Sequence, residues 1–88
     1  MIAKEVVVNN EGGIHLRVAG AVVKVARQHD CKLRVSCENC PAANACSVME
    51  LLTLGVASGT KVRIEADGPG AEAAVSRVAE IFSEGSGI

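Results

Sequence analysis

In the run Gly12-Gly13-Ile14-His15-Leu16-Arg17 a histidine stands between a glycine pair and the start of an apolar periodic segment, with an arginine two residues beyond it. The opening turn of a helix leaves about four backbone N–H groups without intrahelical partners, and with the helix dipole they form a favourable anion site. Imidazole as a side-chain type changes charge near neutrality, and its neutral form is a nucleophile. Arg17 would add a permanent cation whose planar fork suits phosphate oxygens. Together these residue types match a group that takes up a phosphoryl unit: the ring attacks, and the transferred oxygens fall on amides and guanidinium. Gly12 and Gly13 are expected to keep side-chain bulk away from an approaching partner. The plainer alternative at this stage is that His15 is an ordinary cap and Arg17 lies on a solvated helix face.

A second group of reactive side chains is Cys31, Cys37, Cys40 and Cys46, spaced C-x5-C-x2-C-x5-C. The central C-x2-C suits a metal or a redox pair. A two-residue turn at Glu38-Asn39 would set Cys37 opposite Cys40 and, with unbroken register, Cys31 opposite Cys46. All four would then share the sheet face of Leu33 and Val35. Six strand residues span about 20 Å, too far for four thiolates around one ion with ligands at about 2.3 Å. Three readings stay open: reduced thiols acting as small apolar core residues, one or two disulfides, and a zinc or iron–sulfur site on Cys31, Cys37, Cys40 and Cys46. His29, near a helix end, is expected to be structural, and Gly68-Pro69-Gly70 reads as a turn rather than a nucleotide loop.

The elements that must position these groups follow from periodicity. Lys4 to Val8 is rich in β-branched residues and ends in an Asn-Asn-Glu-Gly-Gly turn signal. From Leu16 to His29 the residues Val18, Ala19, Val22, Val23 and Ala26 recur at helical spacing. Cys31 to Cys37 alternates as a half-buried strand, and Cys40 to Cys46 returns as a short, weak one limited by Pro41. Ser47 precedes a short helix, Val48 to Leu54, as N-cap, with Glu50 at capping-box spacing and Gly55 closing it. Thr60 to Ala66 alternates with Val62, Ile64 and Ala66 inward, and a last helix runs from about Ala71 to Phe82, before a frayed tail from Ser83 to Ile88. The order β-α-β-β-α-β-α predicts one domain over residues 1–88, an α/β two-layer open-faced sandwich: a four-stranded antiparallel sheet with three helices on one face and water on the other.

Bulk properties narrow the function classes. Eighty-eight residues give one core and no deep substrate cavity, so chemistry belongs at the surface. Nine basic against ten acidic residues, no tryptophan or tyrosine and one phenylalanine speak against nucleic-acid binding. No apolar run approaches the ~20 residues of a bilayer span, and the N-terminal stretch lacks a signal-peptide pattern, so the cytoplasm is the expected compartment.

Gly13-Ile14-His15-Leu16-Arg17, then Ser47 to Gly55 as SVMELLTLG and Gly59 to Val78 as GTKVRIEADGPGAEAAVSRV, resemble the bacterial phosphocarrier family HPr along nearly the whole chain. The resemblance implies the open-faced sandwich, and phosphorylation of His15 on Nδ1 by enzyme I, which draws the group from phosphoenolpyruvate. It further implies assistance from Arg17, transfer to the A-type components of enzyme II sugar permeases, and no cofactor. Ser47 matches a serine that a dedicated HPr kinase can phosphorylate, and transcriptional regulators are further partners of such proteins. The family usually has Ala and Pro where Leu16 and Val18 stand, so the first turn here regains an N–H and loses a fixed φ. Partner contacts are expected from Gly20, Lys24 and Arg27 on the first helix, and from Val48, Leu51 and Leu52 on the second. Of the short helix's apolar residues one or two should be exposed, Val48 with Leu51 or Leu52. Two other functions stay in view: a regulatory relative that works by binding alone, and a cysteine-based metal or redox module.

Overall fold

A computed structural model describes residues 1–38 and 40–84. Its elements are β1 (Ile2–Val7), α1 (Leu16–Gln28), β2 (Lys32–Cys37), β3 (Ala43–Asn44), α2 (Val48–Thr53), β4 (Lys61–Asp67) and α3 (Ala71–Glu84). The strands form one antiparallel sheet in the order β1-β4-β2-β3. β4 therefore inserts between β1 and β2, which run parallel to one another on either side of it, and α1 makes the crossover between them.

The alternation of β4 explains its central place. Val62, Ile64 and Ala66 are buried, while Lys61, Arg63 and Asp67 project to the open face. On β2 the same pattern buries Leu33 and Val35 and exposes Lys32 and Arg34. The outer face is thus charged, with loose surface pairs such as Lys61–Glu5 at 3.9 Å, which contribute little. The inner face takes the helices.

Helix α1 forms despite four valines because Val18, Ala19, Val22, Val23, Val25 and Ala26 all enter the core, and that burial outweighs the modest propensity loss of β-branched residues. α3 packs across β1 and β4 and against α1; α2 packs on α1 and β3. Phe82, the sole aromatic, is fully buried at the base of α3. The helix runs on through Ser83 and Glu84, two residues past the expected end, and the remainder of the expected tail, 85–88, lies outside the described residues.

The β2–β3 hairpin departs from expectation. Arg34 pairs with Asn44 and Val35 with Ala43, so residues 38–40 rather than 38–39 make the turn, of which Asn39 lies outside the described residues. The slip of one residue exchanges the faces of β3. Ala43 and Ala45 now point into the core, the latter donating its N–H to the Leu33 carbonyl at 2.9 Å, and Cys46 is exposed. Alanine suits the inward positions because α2 closes over this edge of the sheet.

Candidate functional site

The loop from Val8 to His15 is held at both ends. The Asn9 amide donates to the Phe82 carbonyl at 2.8 Å, its side chain donates to the Ser83 carbonyl at 2.7 Å, and buried Asn10 donates from Nδ2 to the Ile81 carbonyl at 3.1 Å. These bonds satisfy carbonyls at the end of α3 that lack helical partners. The sequence presents Asn9-Asn10 only as a turn signal; their role in anchoring the site loop to α3 depends on a contact more than seventy residues away.

Past that anchor the chain turns through Gly12 (φ 82°) and Gly13 (φ 74°), a backbone region that L side chains adopt at a cost. The two glycines serve different ends. A Cβ on Gly12 would lie 3.6 Å from Cδ2 of His15, in ordinary contact beside the ring. One on Gly13 would overlap the Val56 carbonyl oxygen and sit 2.8 Å from Cα of Ala57. Gly13 is buried, so its missing side chain makes room for the 56–57 segment of the same chain rather than for a partner. The Val56 carbonyl also accepts the Ile14 N–H at 3.1 Å, which pins the residue before the histidine.

His15 is the N-cap residue of α1, with extended backbone (φ −99°, ψ −178°), and its carbonyl accepts the Ala19 N–H at 2.8 Å. Its side chain makes no capping hydrogen bond. The reading of His15 as an ordinary cap therefore fails: the ring is half-buried, and the amides of Leu16, Arg17 and Val18 precede the first satisfied one with no side chain among the described residues capping them. No acidic residue stands in the first turn of α1 to neutralise the positive end of its dipole. Arg17 is exposed in that same turn and forms no ion pair among the described residues. A ring nitrogen, three uncapped amides and an unpaired guanidinium at one helix start can receive a tetrahedral dianion.

Around this centre, Gly20, Lys24 and Arg27 are exposed on α1, and Leu16 is 65% exposed. Val18 is buried in the core. On α2 the large exposed apolar residue is Met49, at 73%, while Val48 and Leu52 are half-buried against the core. Leu51 has no exposure and is withdrawn as a contact residue. Helix α2 turns Leu51 into the core between α1 and β3, so Met49, two residues earlier and about 200° round the helix, points outward.

Ser47 caps α2 as expected, its Oγ accepting the Glu50 N–H at 3.2 Å. The reciprocal half of the capping box is redirected. Glu50 Oε1 accepts the Asn44 N–H at 3.1 Å, tying α2 to β3 instead of to the cap's own amide. Gly55, at φ 63°, donates to the Leu52 carbonyl and closes the helix. Replacing Ser47 with alanine should lower stability by about 0.5–2 kcal/mol, the usual cost of losing such a cap, read as a reduced denaturation midpoint. An unchanged midpoint would mean the cap contributes nothing here.

Cys37 and Cys40 are joined as a disulfide across the turn, with Cα atoms 5.1 Å apart, and the Cys40 N–H donates to the Cys37 carbonyl at 3.1 Å. Cys31 and Cys46 are free. Burial pushes the Cys31 thiol above its ordinary range, with smaller contributions from the Asp30 carboxylate and the Cys46 sulfur. The shared face expected for all four cysteines is not found, because the register slip turns Cys46 outward. Among the described residues, no three metal-ligating side chains converge. His29 donates from Nδ1 to the Val25 carbonyl at 2.9 Å and ends α1, a structural role.

The family model described as "PTS HPr component phosphorylation site" matches residues 2–84. The chain belongs to the HPr family. It is 37% identical over 84 residues to the phosphocarrier protein HPr of Vibrio cholerae, covering 96% of this chain and 98% of that protein. It is 34% identical to the HPr of Chlamydia muridarum over 91% of this chain and 76% of that one. Among solved structures, an HPr from Thermoanaerobacter tengcongensis superposes with a TM-score of 0.86 at 28% identity, covering 93% of this chain and 91% of its own. HPr proteins are phosphocarriers of the PTS, and the open sandwich found here is that of the family's solved members. No helix among the described residues is long and apolar enough to cross a membrane.

Proposed function

We propose that this chain is a cytoplasmic phosphoryl carrier that receives its phosphoryl group from enzyme I, charged by phosphoenolpyruvate, on Nδ1 of His15, and delivers it to A-type components of enzyme II. The observation that supports it most is His15 as an N-cap whose ring makes no cap bond, ahead of three uncapped amides. In the transfer, the neutral ring nitrogen of His15 forms a bond to phosphorus as the bond between phosphorus and the donor atom of enzyme I breaks, its electron pair leaving with that atom. The ring carries a positive charge as the new bond forms, with its other nitrogen still bearing the proton. The phosphoryl oxygens meet the Leu16, Arg17 and Val18 amides and the guanidinium of Arg17, which stabilise charge as the group moves. The chain turns over no substrate of its own; it is a substrate of enzyme I and a donor to the next protein.

Leu16, Gly20, Lys24 and Arg27 on α1, with Val48, Met49 and Leu52 on α2, form the docking face in this reading, an apolar centre with a basic rim. Phosphorylation of Ser47 by an HPr-type kinase would place roughly two negative charges at the start of α2, next to Val48 and Met49, and repel an acidic partner. Incubation with enzyme I, phosphoenolpyruvate and a purified A-type acceptor should move label through this chain to the acceptor. Acceptance from enzyme I with no onward transfer to any sugar-specific acceptor would instead favour a regulatory protein. Arg17→Ala should slow phosphoryl acceptance by roughly 10²-fold, the order seen when one preorganised oxyanion donor is lost. Stopped-flow transfer rates check this, and a rate equal to the parent's would remove Arg17 from the mechanism.

A further inference from the structure

We propose that Cys37 and Cys40 form a reversible dithiol–disulfide site, a substrate for low-molecular-weight thiols of the glutathione type, and that its redox state sets how firmly β3 and the start of α2 are held. The inference does not depend on the carrier reading.

The bond closes a loop of only two intervening residues, so it removes little chain entropy and is poorly suited to holding the fold together. The core lies elsewhere, between the sheet and the three helices. What the bond does hold is local. β3 is two residues long and has just two residue pairs to β2. Its last residue, Asn44, makes three hydrogen bonds with the segment from Cys46 to Glu50 that leads into α2. It donates its N–H to Glu50 Oε1, accepts the Ser47 N–H on its carbonyl at 3.0 Å, and accepts the Cys46 N–H on Oδ1 at 2.9 Å. A covalent clip at the closed end of the hairpin is thus coupled through β3 to Ser47 and α2.

Both cysteines are half-buried and each lines an open cleft. Cys40 lines a cleft of about 370 Å³ with Pro41, Glu50 and Leu54, between hairpin and α2. Cys37 lines another, of about 590 Å³, where Lys61 and Arg63 stand beside Glu5 and Glu38, a mixed-charge rim suited to a small thiol that carries both an ammonium and carboxylates. In reduction a thiolate attacks one sulfur and forms a mixed disulfide while the other cysteine leaves as thiolate. A second thiolate then displaces the first cysteine. The balance is one protein disulfide and two thiols giving two protein thiols and one small disulfide, with two electrons passing to the protein; oxidation is the reverse, with the small disulfide as oxidant.

The test equilibrates the full chain over a series of reduced and oxidised glutathione ratios, traps free thiols by alkylation for peptide mass spectrometry, and follows amide hydrogen exchange in the two end states. Cys37 and Cys40 should change together across the series. Reduction should speed exchange over Ala43 to Thr53 by about tenfold or more, with the β1–β4 pairing unaffected. Cys40→Ser should show the reduced pattern in both buffers; should that variant fail to fold, the two redox states of the parent decide the matter. Thiols still free at the most oxidising ratio, a bond that survives the most reducing one, or identical exchange over Ala43 to Thr53 in both states would overturn the proposal.

Discussion

His15→Ala should abolish phosphorylation by enzyme I and phosphoenolpyruvate while leaving the fold intact. The ring makes no capping bond, so its removal costs the helix no hydrogen bond, and it is only half-buried, so little packing is lost. The one function that disappears is the nucleophilic nitrogen. Arg17, in the same turn, carries no lone pair for attack, and Ser47 and the four cysteines all follow the far end of α1 in the chain. Label incorporation should therefore fall below detection, more than about 10³-fold beneath the parent, as expected when a nucleophile is removed rather than a stabilising donor. Circular dichroism and the denaturation midpoint should match the parent within about 0.5 kcal/mol. Labelling of the alanine variant at the parent's rate would relocate the acceptor.

The second large effect is structural, and it separates two glycines that look alike in the sequence. Gly13→Ala should destabilise the protein by about 2–5 kcal/mol, the sum of left-handed backbone strain and overpacking. The new Cβ would overlap the Val56 carbonyl oxygen, and relief requires breaking the Ile14–Val56 hydrogen bond that holds the residue before His15. Gly12→Ala carries the strain without the collision, since its Cβ meets only the edge of the His15 ring at 3.6 Å, and should cost about 1–2 kcal/mol. For a domain of this size the difference appears as a melting temperature lower by roughly 10 °C or more in the Gly13 variant. Phosphoryl acceptance should fall with it even at temperatures where the variant is folded, because the loop bearing His15 must shift. Equal stability of the two variants would show that the 56–57 segment does not constrain the site.

Much of this architecture was legible because local and global preferences agree. The periodicity of Val18, Ala19, Val22, Val23 and Ala26, the strict alternation of Val62, Ile64 and Ala66, and the Ser47 cap each specify an element and its buried side with no reference to the rest of the chain. The candidate site was legible for the same reason, since His15 and Arg17 sit on one helix start. What the sequence conceals depends on distant or competing contacts. The register of the β2–β3 hairpin turns on one extra residue in the turn, and an alternating run of cysteines and alanines fits either face; packing of Ala43 and Ala45 beneath α2 decides it. The outward residue of α2 is Met49 rather than Leu51 because the helix is only six residues long and its orientation is fixed by Ser47 and the Asn44–Glu50 bond, not by its own pattern. The anchoring of Asn9 and Asn10 by α3, and the approach of Val56 to Gly13, are long-range facts that no local motif announces.

The central claim, that the phosphoryl group rests on the His15 ring and is held by the first amides of α1, is tested most directly by nuclear magnetic resonance on the enzyme I-phosphorylated chain labelled with nitrogen-15. A phosphorus-coupled ring nitrogen at His15, with the largest amide shifts at Leu16, Arg17 and Val18, is the predicted result. Phosphorus coupled to another residue, or a His15 adduct that leaves those three amides where they stood, would contradict it.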